Sequence, residues 1–380
     1  MLKYIVAVLI AFVLIFLNIQ NNKFDDKSLK LGVSIPRSGI MHAVGDAVYS
    51  GANSYFLHAQ QNRLLGDVKV ELIVYDDKYE PEMTVENIKK LIDKNVFAFF
   101  GLVGTPTVKK ILPILRNTEI PLIAPFTGAS FLRNSGKVDI VNFRSSYKEE
   151  IDYTVEYLRN KKNISNFAVF YQNDDYGEEG FVSLLYSLNE RGLKLSGEGT
   201  YKRNTLSIRH AFHEIKSAKP EAVFMIGAYK ANALFIKTAK KDPVFQNTIF
   251  CSISFGDADE MIKELDYNTD NLLFSQVVPS YKDSSKAVIL EYKKMMKKYF
   301  PNQPLGFISL EAFLAAKSVV EALKNVDRPI TRDKFLKEIK NLSKNILDGI
   351  DINYKNNQLH NKVYLFKYNN SNFIEVYNEN

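Results

Sequence analysis

Cysteine is almost missing from this 380-residue chain: Cys251 stands alone. No intrachain disulfide can form, and no zinc site can be assembled from thiolates. Histidine is scarce as well. His42, His58, His210, His213 and His360 are the whole supply. Only His210 and His213 fall on one helical face, without an obvious carboxylate to complete a ligand set, so they read as surface residues rather than a metal site. Glycine (18) and proline (12) are too few for a fibrous or linker-rich chain. No G-x-G-x-x-G occurs, no Gly-Lys-Ser/Thr ending of a phosphate loop, and no G-x-S-x-G elbow, so the common nucleotide and serine-hydrolase signatures are lacking. The excess of 50 Lys+Arg over 43 Asp+Glu, a net charge of +7, is scattered, as at Lys293-Lys294 and Lys297-Lys298. No basic stripe carries interleaved aromatics, which argues against nucleic acid as a partner. What remains, 46% hydrophobic and 24% charged residues, is globular, and the length suits two domains of ~150 residues each.

One apolar run stands apart. Met1-Leu2-Lys3 leads into residues 4–17, and Asn18, Ile19 and Gln20 follow. A basic start before such a run is an export signal. The run is shorter than the ~20 residues of a full membrane span, although Leu2 and Ile19 extend it. No small-residue cleavage pair and no lipid-accepting cysteine follow it. The expectation is a signal anchor over residues 1–22, held in the inner membrane by residues 4–19, with everything later outside the cytoplasm. A cleaved signal peptide is the alternative. No later segment is long and apolar enough to span a bilayer, and no cytoplasmic output domain is expected.

The most informative stretch is 97–132. Phe97, Ala98, Phe99 and Phe100 form a short apolar run that stops at Gly101. After Gly104, Thr105 and Pro106, the spacing of Val108, Ile111, Leu112 and Leu115 is helical. A second run, 121–124, stops at Pro125-Phe126-Thr127-Gly128-Ala129, and a helix restarts near Ser130. Strand, loop and helix thus follow one another twice, the pattern of parallel βαβ units. Ligands of open parallel sheets sit beyond the carboxyl ends of the strands. Both loops lie there and offer hydroxyls (Thr105, Thr107, Thr127) together with backbone N–H groups at helix starts, which favour an anionic group. They also read as ordinary turns, with threonine as a cap and glycine relieving strain.

The same alternation extends outward. Strands are expected at 31–35, 68–75 and 140–144, with helices at 46–65 and 82–94. The pattern then begins again with a helix at 149–160, a strand at 167–171 and a helix at 177–191 behind Gln172-Asn173-Asp174-Asp175-Tyr176. Strands at 193–199, 222–226, 248–252 and 271–278 follow, with helices at 206–218, 229–240, 283–299, 307–323 and 331–341. The chain closes on strands at 350–353, 363–368 and 373–377. Two α/β halves in the same order imply two similar lobes with a ligand cleft between them. Asp76-Asp77 and Asp174-Asp175 read as loop-start caps rather than paired catalytic acids, and nothing rises above background for an enzyme.

Taken in order, several stretches are familiar: Ser38-Gly39 with Gly45-Asp46, Tyr75-Asp76-Asp77 with Tyr79-Glu80-Pro81, Pro125-Phe126-Thr127-Gly128-Ala129, Gln172-Asn173-Asp174-Asp175-Tyr176-Gly177, Tyr229, Val277-Val278-Pro279 and Ser309-Leu310-Glu311-Ala312. In them the chain resembles the type I periplasmic binding proteins of the leucine/isoleucine/valine-binding family, the solute receptors of ABC importers. The resemblance implies an α/β fold of two Rossmann-like lobes, 30–144 plus 279–345 and 147–276 plus 348–380, joined by three crossovers and closing on a solute by a hinge motion. It implies that Thr105 holds a ligand carboxylate, and that Phe126, Thr127 and Gly128 form the second loop of the site. Tyr176 and Tyr229 would cover the ligand from the other lobe, and Arg144 would brace a crossover. No cofactor, no metal and no catalysis are implied. The partners implied are a small-molecule solute and ABC permease subunits; a separate sensor protein that reports the ligand is the alternative.

Two departures from the family pattern bear on the solute. Val44 stands where branched-chain receptors carry an aromatic residue. Ser254-Phe255-Gly256 stands where they carry an acid against the ligand's ammonium, with Asp257 close by in sequence and the Phe255 ring as a weaker cation acceptor. A buried ammonium without a counter-charge is costly. The expected solute is therefore a small carboxylate or amide with an apolar or aromatic body, like a branched-chain amino acid in its body rather than its ammonium.

Overall fold

The computed structural model describes residues 27–376 apart from 135 and 137. The expected anchor over residues 1–22 lies outside the described residues, and among those described no helix is long and apolar enough to cross a membrane.

The first lobe alternates as its sequence pattern requires: β1 (Ser28–Ile35), α1 (His42–Gln61), β2 (Lys69–Asp76), α2 (Pro81–Asp93), β3 (Ala98–Phe100), α3 (Thr105–Leu115), β4 (Leu122–Ile123) and β5 (Ile140–Val141). Its sheet has the order β2-β1-β3-β4-β5, every pair parallel. The second lobe contributes α4 (Tyr147–Lys162), β6 (Phe167–Gln172), α5 (Asp175–Asn189), β7 (Leu195–Tyr201), α6 (Arg209–Ser217), β8 (Ala222–Ile226), α7 (Tyr229–Ala239), β9 (Ile249–Ser252), α8 (Ala258–Glu264) and β10 (Leu272–Gln276). The chain then returns to the first lobe for α9 (Ala287–Tyr299), α10 (Phe307–Lys324) and α11 (Arg332–Lys340), and ends on β11 (Tyr364–Asn369) and β12 (Asn372–Glu375) of the second sheet. That sheet runs β12-β11-β10-β9-β8-β6-β7, parallel up to β10 and antiparallel over the terminal hairpin. From β6 to β10 it repeats the winding order of the first sheet, so both lobes have a switch point, between β1 and β3 and between β6 and β8, where ligands of such sheets sit.

Apolar residues on both strand faces explain the layering. Phe99, Leu122 and Ile140 pack with Ile88, Leu91, Val108 and Ile111 on one face of the first sheet. On the other face α1 and α10 lie so close that a Cβ on Gly51 would stand 2.1 Å from the Ser309 carbonyl oxygen. The chain passes between lobes after β5, after β10 and after α11. The first and third passages run side by side: Asn142 N–H donates to Asn357 O (2.7 Å), Leu359 N–H to Asn142 O (2.9 Å) and His360 N–H to Phe143 O (2.8 Å).

The structure departs from the sequence reading in places. Residues 350–353 are not a strand: Ile350 and Ile352 are buried, but Ile352 N–H donates back to Lys344 O rather than to a ladder. The helix expected near Ser130 is a single 3-10 turn, Ser130–Leu132. The short α8 did not show as a separate element in the sequence pattern.

Candidate functional site

The loops after β3 and β4 are bound to each other. Phe126 N–H donates to Leu102 O (2.7 Å), Gly104 N–H donates to Phe126 O (3.2 Å), and the hydroxyls of Thr105 and Thr127 share a hydrogen bond of 2.7 Å. Gly104 has φ +105, and a Cβ there would meet the Tyr79 ring at 2.3 Å. That close approach, rather than a phosphate-binding turn, is what the glycine permits. Gly128 is needed in the same way, because Tyr147 lies 2.5 Å from where its Cβ would be, and Tyr147 N–H donates to Gly128 O (2.9 Å).

Tyr147 opens α4 behind a capping box. Glu149 N–H donates to Ser146 Oγ (3.2 Å), and Ser146 N–H donates to a Glu149 carboxylate oxygen (2.6 Å). Tyr176 sits in the first turn of α5, which Asp174 caps through the Tyr176 N–H (3.0 Å). Phe255 projects from the turn after β9. Its ring centroid lies 4.6 Å from that of Tyr176, 5.9 Å from Phe126, 6.1 Å from Tyr79 and 6.4 Å from Tyr147. Tyr147 and Tyr176 meet edge to face at 5.4 Å. Rings from both lobes thus close on one another above the two threonines, and all are buried.

Tyr79 has an unusual backbone, φ 62. It is held there because Asp77 accepts its N–H (3.0 Å) as well as the hydroxyls of Ser34 (2.8 Å) and Thr84 (3.1 Å). Burial pushes the Asp77 carboxyl up to about 6, against the pull of those hydrogen bonds. From Tyr79 a polar chain crosses the lobes: Gln172 Nε2 donates to the Tyr79 hydroxyl (3.3 Å), and the Tyr201 hydroxyl donates to Gln172 Oε1 (3.1 Å) while accepting the Ala228 N–H (2.7 Å).

The rim is tied as well. Ser130 gives its N–H (3.0 Å) and its hydroxyl (2.7 Å) to Glu179; Glu80 pairs with Arg203 (3.1 Å) and accepts from Asn204 (2.7 Å); Lys109 pairs with Asp175. All of these span the two lobes, so the cleft is shut.

The polar balance inside is uneven. The hydroxyls of Tyr147 and Tyr176 are buried and have no hydrogen-bond partner of good geometry among the described residues. Burial raises the Tyr147 pKa; the Arg144 charge and the nearby hydroxyls of Thr127 and Thr105 act the other way, so that phenol stands beside the threonine pair without a well-formed bond to it. Burial likewise pushes Tyr176 far up, and Tyr147 is the next cause, which puts the two phenols close together. An unpaired buried hydroxyl costs about 1–3 kcal/mol, and the natural remedy is an acceptor that enters with a ligand.

The sequence-predicted residues Thr105, Phe126, Thr127, Gly128, Tyr176 and Phe255 meet here. Tyr229 is set apart. It is buried, none of its described ring contacts is with this cluster, and after burial the charges acting on it are Asp257, Glu260 and Glu264. Asp257 in turn lines a cavity of 390 Å³ between the starts of α1 and α10 and helix α8. Burial, then Asp259, lifts its carboxyl to about 8. Tyr79 and Tyr147 were not singled out from sequence. Tyr147 follows the same rule as Tyr176, an aromatic residue opening a helix at the cleft, and that rule alone would have found it. Among the described residues no group of three or more His, Cys, Asp or Glu could hold a metal ion.

A family model described as periplasmic binding protein matches residues 28–372. Among solved structures, the chain is similar to a "possible leucine/isoleucine/valine-binding protein" from Rhodopirellula baltica SH 1, at 31% identity over 92% of this chain and 96% of that one, with a TM-score of 0.86. It is similar in fold to a branched-chain amino acid ABC transporter protein from Thermus thermophilus with bound valine (17% identity, 92% and 95% covered, TM-score 0.80). It is equally similar in fold to a fatty acid ABC transporter substrate-binding protein from Thermomonospora curvata (17% identity, 93% and 92% covered, TM-score 0.81). No curated protein matches.

Proposed function

The chain belongs to the type I periplasmic binding proteins, and from that premise we propose that it captures a small carboxylate with an apolar or aromatic body between its lobes, as the receptor of an ABC importer. The family is one of solute binders and not of enzymes, and its members work in the periplasm. The observation that carries the carboxylate reading is the pair of buried, unpartnered phenol hydroxyls of Tyr147 and Tyr176 beside the hydroxyls of Thr105 and Thr127. Four hydroxyls and the first turn of α3 give an anionic oxygen several donors at once, and donors to a charged acceptor are worth about 1.5–3 kcal/mol each.

The solved relatives named for valine and for fatty acids are named for molecules that share a carboxylate. The rings of Tyr79, Phe126 and Phe255 suit the apolar body, which enters by displacing Phe255 from the rings it now touches. The rim contacts re-form over the solute, so closure and capture are one event. Residues 4–19 hold the protein to the inner membrane in this reading, which membrane fractionation of the tagged full chain tests.

Calorimetry with straight-chain, branched and aryl carboxylates and with their amides tests the central claim. Saturable heat from carboxylates, lost in Thr105→Val, is expected. Binding of the neutral amides alone would remove the carboxylate reading.

A further inference from the structure

Arg144 lies in the first passage between the lobes and is 1% exposed. Two of its three nitrogens are committed: Nε donates to Glu311 (2.9 Å), and Nη2 donates to Glu311 (2.9 Å) and to Ser254 Oγ (3.0 Å). This is the brace expected from sequence, since Glu311 belongs to α10 of the first lobe and Ser254 to the second. The third nitrogen is not part of it. Nη1 is buried and has no hydrogen-bond partner among the described residues. Its guanidinium lies 4.3 Å above the centre of the Phe126 ring, in the loop that carries Thr127, and after burial its charge is the largest influence on the Tyr147 hydroxyl. A planar fork held along one edge by a carboxylate and at Nη2 by a serine cannot turn the two N–H of Nη1 elsewhere.

The acids nearby are occupied. Glu311 is taken by Arg144, and Glu150 accepts Ser254 N–H (2.8 Å), Ser254 Oγ (2.8 Å) and Ser275 Oγ (2.6 Å). Both oxygens of Glu311 and of Glu150 already accept hydrogen bonds from the protein's own groups. The spare groups of the site are thus the phenols, the threonine pair and the two N–H groups of a fixed guanidinium nitrogen, Nη1.

We propose that Arg144 Nη1 is a specificity-determining donor and that the solute is an α-oxo acid with an apolar or aromatic body. The proposal rests on the carboxylate reading above and sharpens it. The threonine and phenol hydroxyls take the carboxylate, and Nη1 takes the adjacent carbonyl oxygen, an acceptor with no proton of its own. An α-ammonium at that carbon brings donors to a donor and a positive charge to the guanidinium, and a methylene there leaves Nη1 as bare as before.

The test is calorimetry with the wild-type protein on two matched trios: the α-oxo acid, the unsubstituted acid and the α-amino acid, once with an isobutyl and once with a benzyl body. In the trio whose body fits, the oxo acid is expected to bind at least about ten-fold tighter than either companion. Equal or tighter binding of the unsubstituted acid or the amino acid overturns the inference and leaves the carboxylate reading standing. Silence from both trios overturns the inference, and silence from the straight-chain acids as well overturns the carboxylate reading. Arg144→Lys, checked for folding by circular dichroism, is expected to bring the oxo and unsubstituted acids to within about two-fold of each other. A folded Arg144→Lys protein that keeps the full preference overturns the role of Nη1, and if that variant does not fold, the trios decide alone.

Discussion

The hydroxyls of Thr105 and Thr127 stand 2.7 Å apart, one on the first residue of α3 and the other in the loop after the neighbouring strand. Each therefore holds the other at the floor of the cleft, and a solute oxygen meets two hydroxyls already positioned. Thr105→Val keeps the shape and removes one of them. Thr127 retains the Ala129 N–H (3.3 Å), so the fold survives. Carboxylate affinity is expected to fall about ten-fold or more, from the 1.5–3 kcal/mol of a charge-assisted bond. Calorimetry beside a thermal melt checks it, and unchanged affinity excludes Thr105 from the site.

Tyr176 offers a prediction in which binding and stability move in opposite directions. Its hydroxyl is buried without a partner among the described residues, so the ligand-free protein carries a desolvation cost that Tyr176→Phe removes. The variant is expected to melt higher than wild type without solute, by about 2–4 °C for each kcal/mol recovered, and to bind carboxylates more weakly. A variant that melts lower would mean that the hydroxyl is bonded in solution and is not waiting for a ligand.

Glu179 reaches from α5 to Ser130 across the mouth of the cleft with two hydrogen bonds, 3.0 and 2.7 Å. Ser130 is exposed and Glu179 half-buried, and the bonds between them are open to solvent, so the pair adds little to folding. It does bear on the balance between open and shut, which small energies move. Glu179→Ala is expected to leave the melting temperature nearly unchanged, to enlarge the ligand-free radius of gyration in small-angle scattering, and to weaken solute binding several-fold. An unaltered scattering profile together with unaltered affinity would show that the rim does not control closure.

Much of this architecture was legible beforehand, and the exceptions have physical causes. Phe97 to Phe100 and the helical spacing after Gly104 announced a βα unit because burial on both strand faces leaves no other use for such runs. Thr105, Thr127 and Tyr176 come together at the cleft, as strand ends and helix starts in the sequence suggest. Tyr79 escaped because its position depends on a left-handed backbone whose N–H the buried Asp77 carboxylate accepts, a contact between residues with no local signature. Ile350 and Ile352 imitated a strand because alternate burial looks the same whether the partner is a ladder or a neighbouring passage of chain. Tyr229 opens a helix at a strand end as Tyr176 does, yet it lies among Asp257, Glu260 and Glu264 instead of the other rings; only the packing of α7 on α8 decides that.

Asp257 supplies the pH test. Its carboxyl is buried, and neighbouring Asp259 adds to the effect, so the folded protein holds this proton up to about 8 where an unfolded chain releases it near the ordinary aspartate value. Because the folded form binds the proton more tightly, the contribution of Asp257 to stability is whole below the unfolded pKa and is lost as pH rises through the folded one. Asparagine cannot ionise, and it is as good a helix cap as aspartate, so the bond from Glu260 N–H (3.2 Å) has a replacement acceptor. Asp257→Asn is therefore expected to gain on wild type as pH rises: the two melt within a few degrees of each other at about pH 5, and the variant melts distinctly higher at about pH 9. Paired melts across that range read the difference directly. A constant gap would mean that Asp257 titrates normally, and a gap that shrinks with pH would mean that a cation compensates its charge in the folded protein.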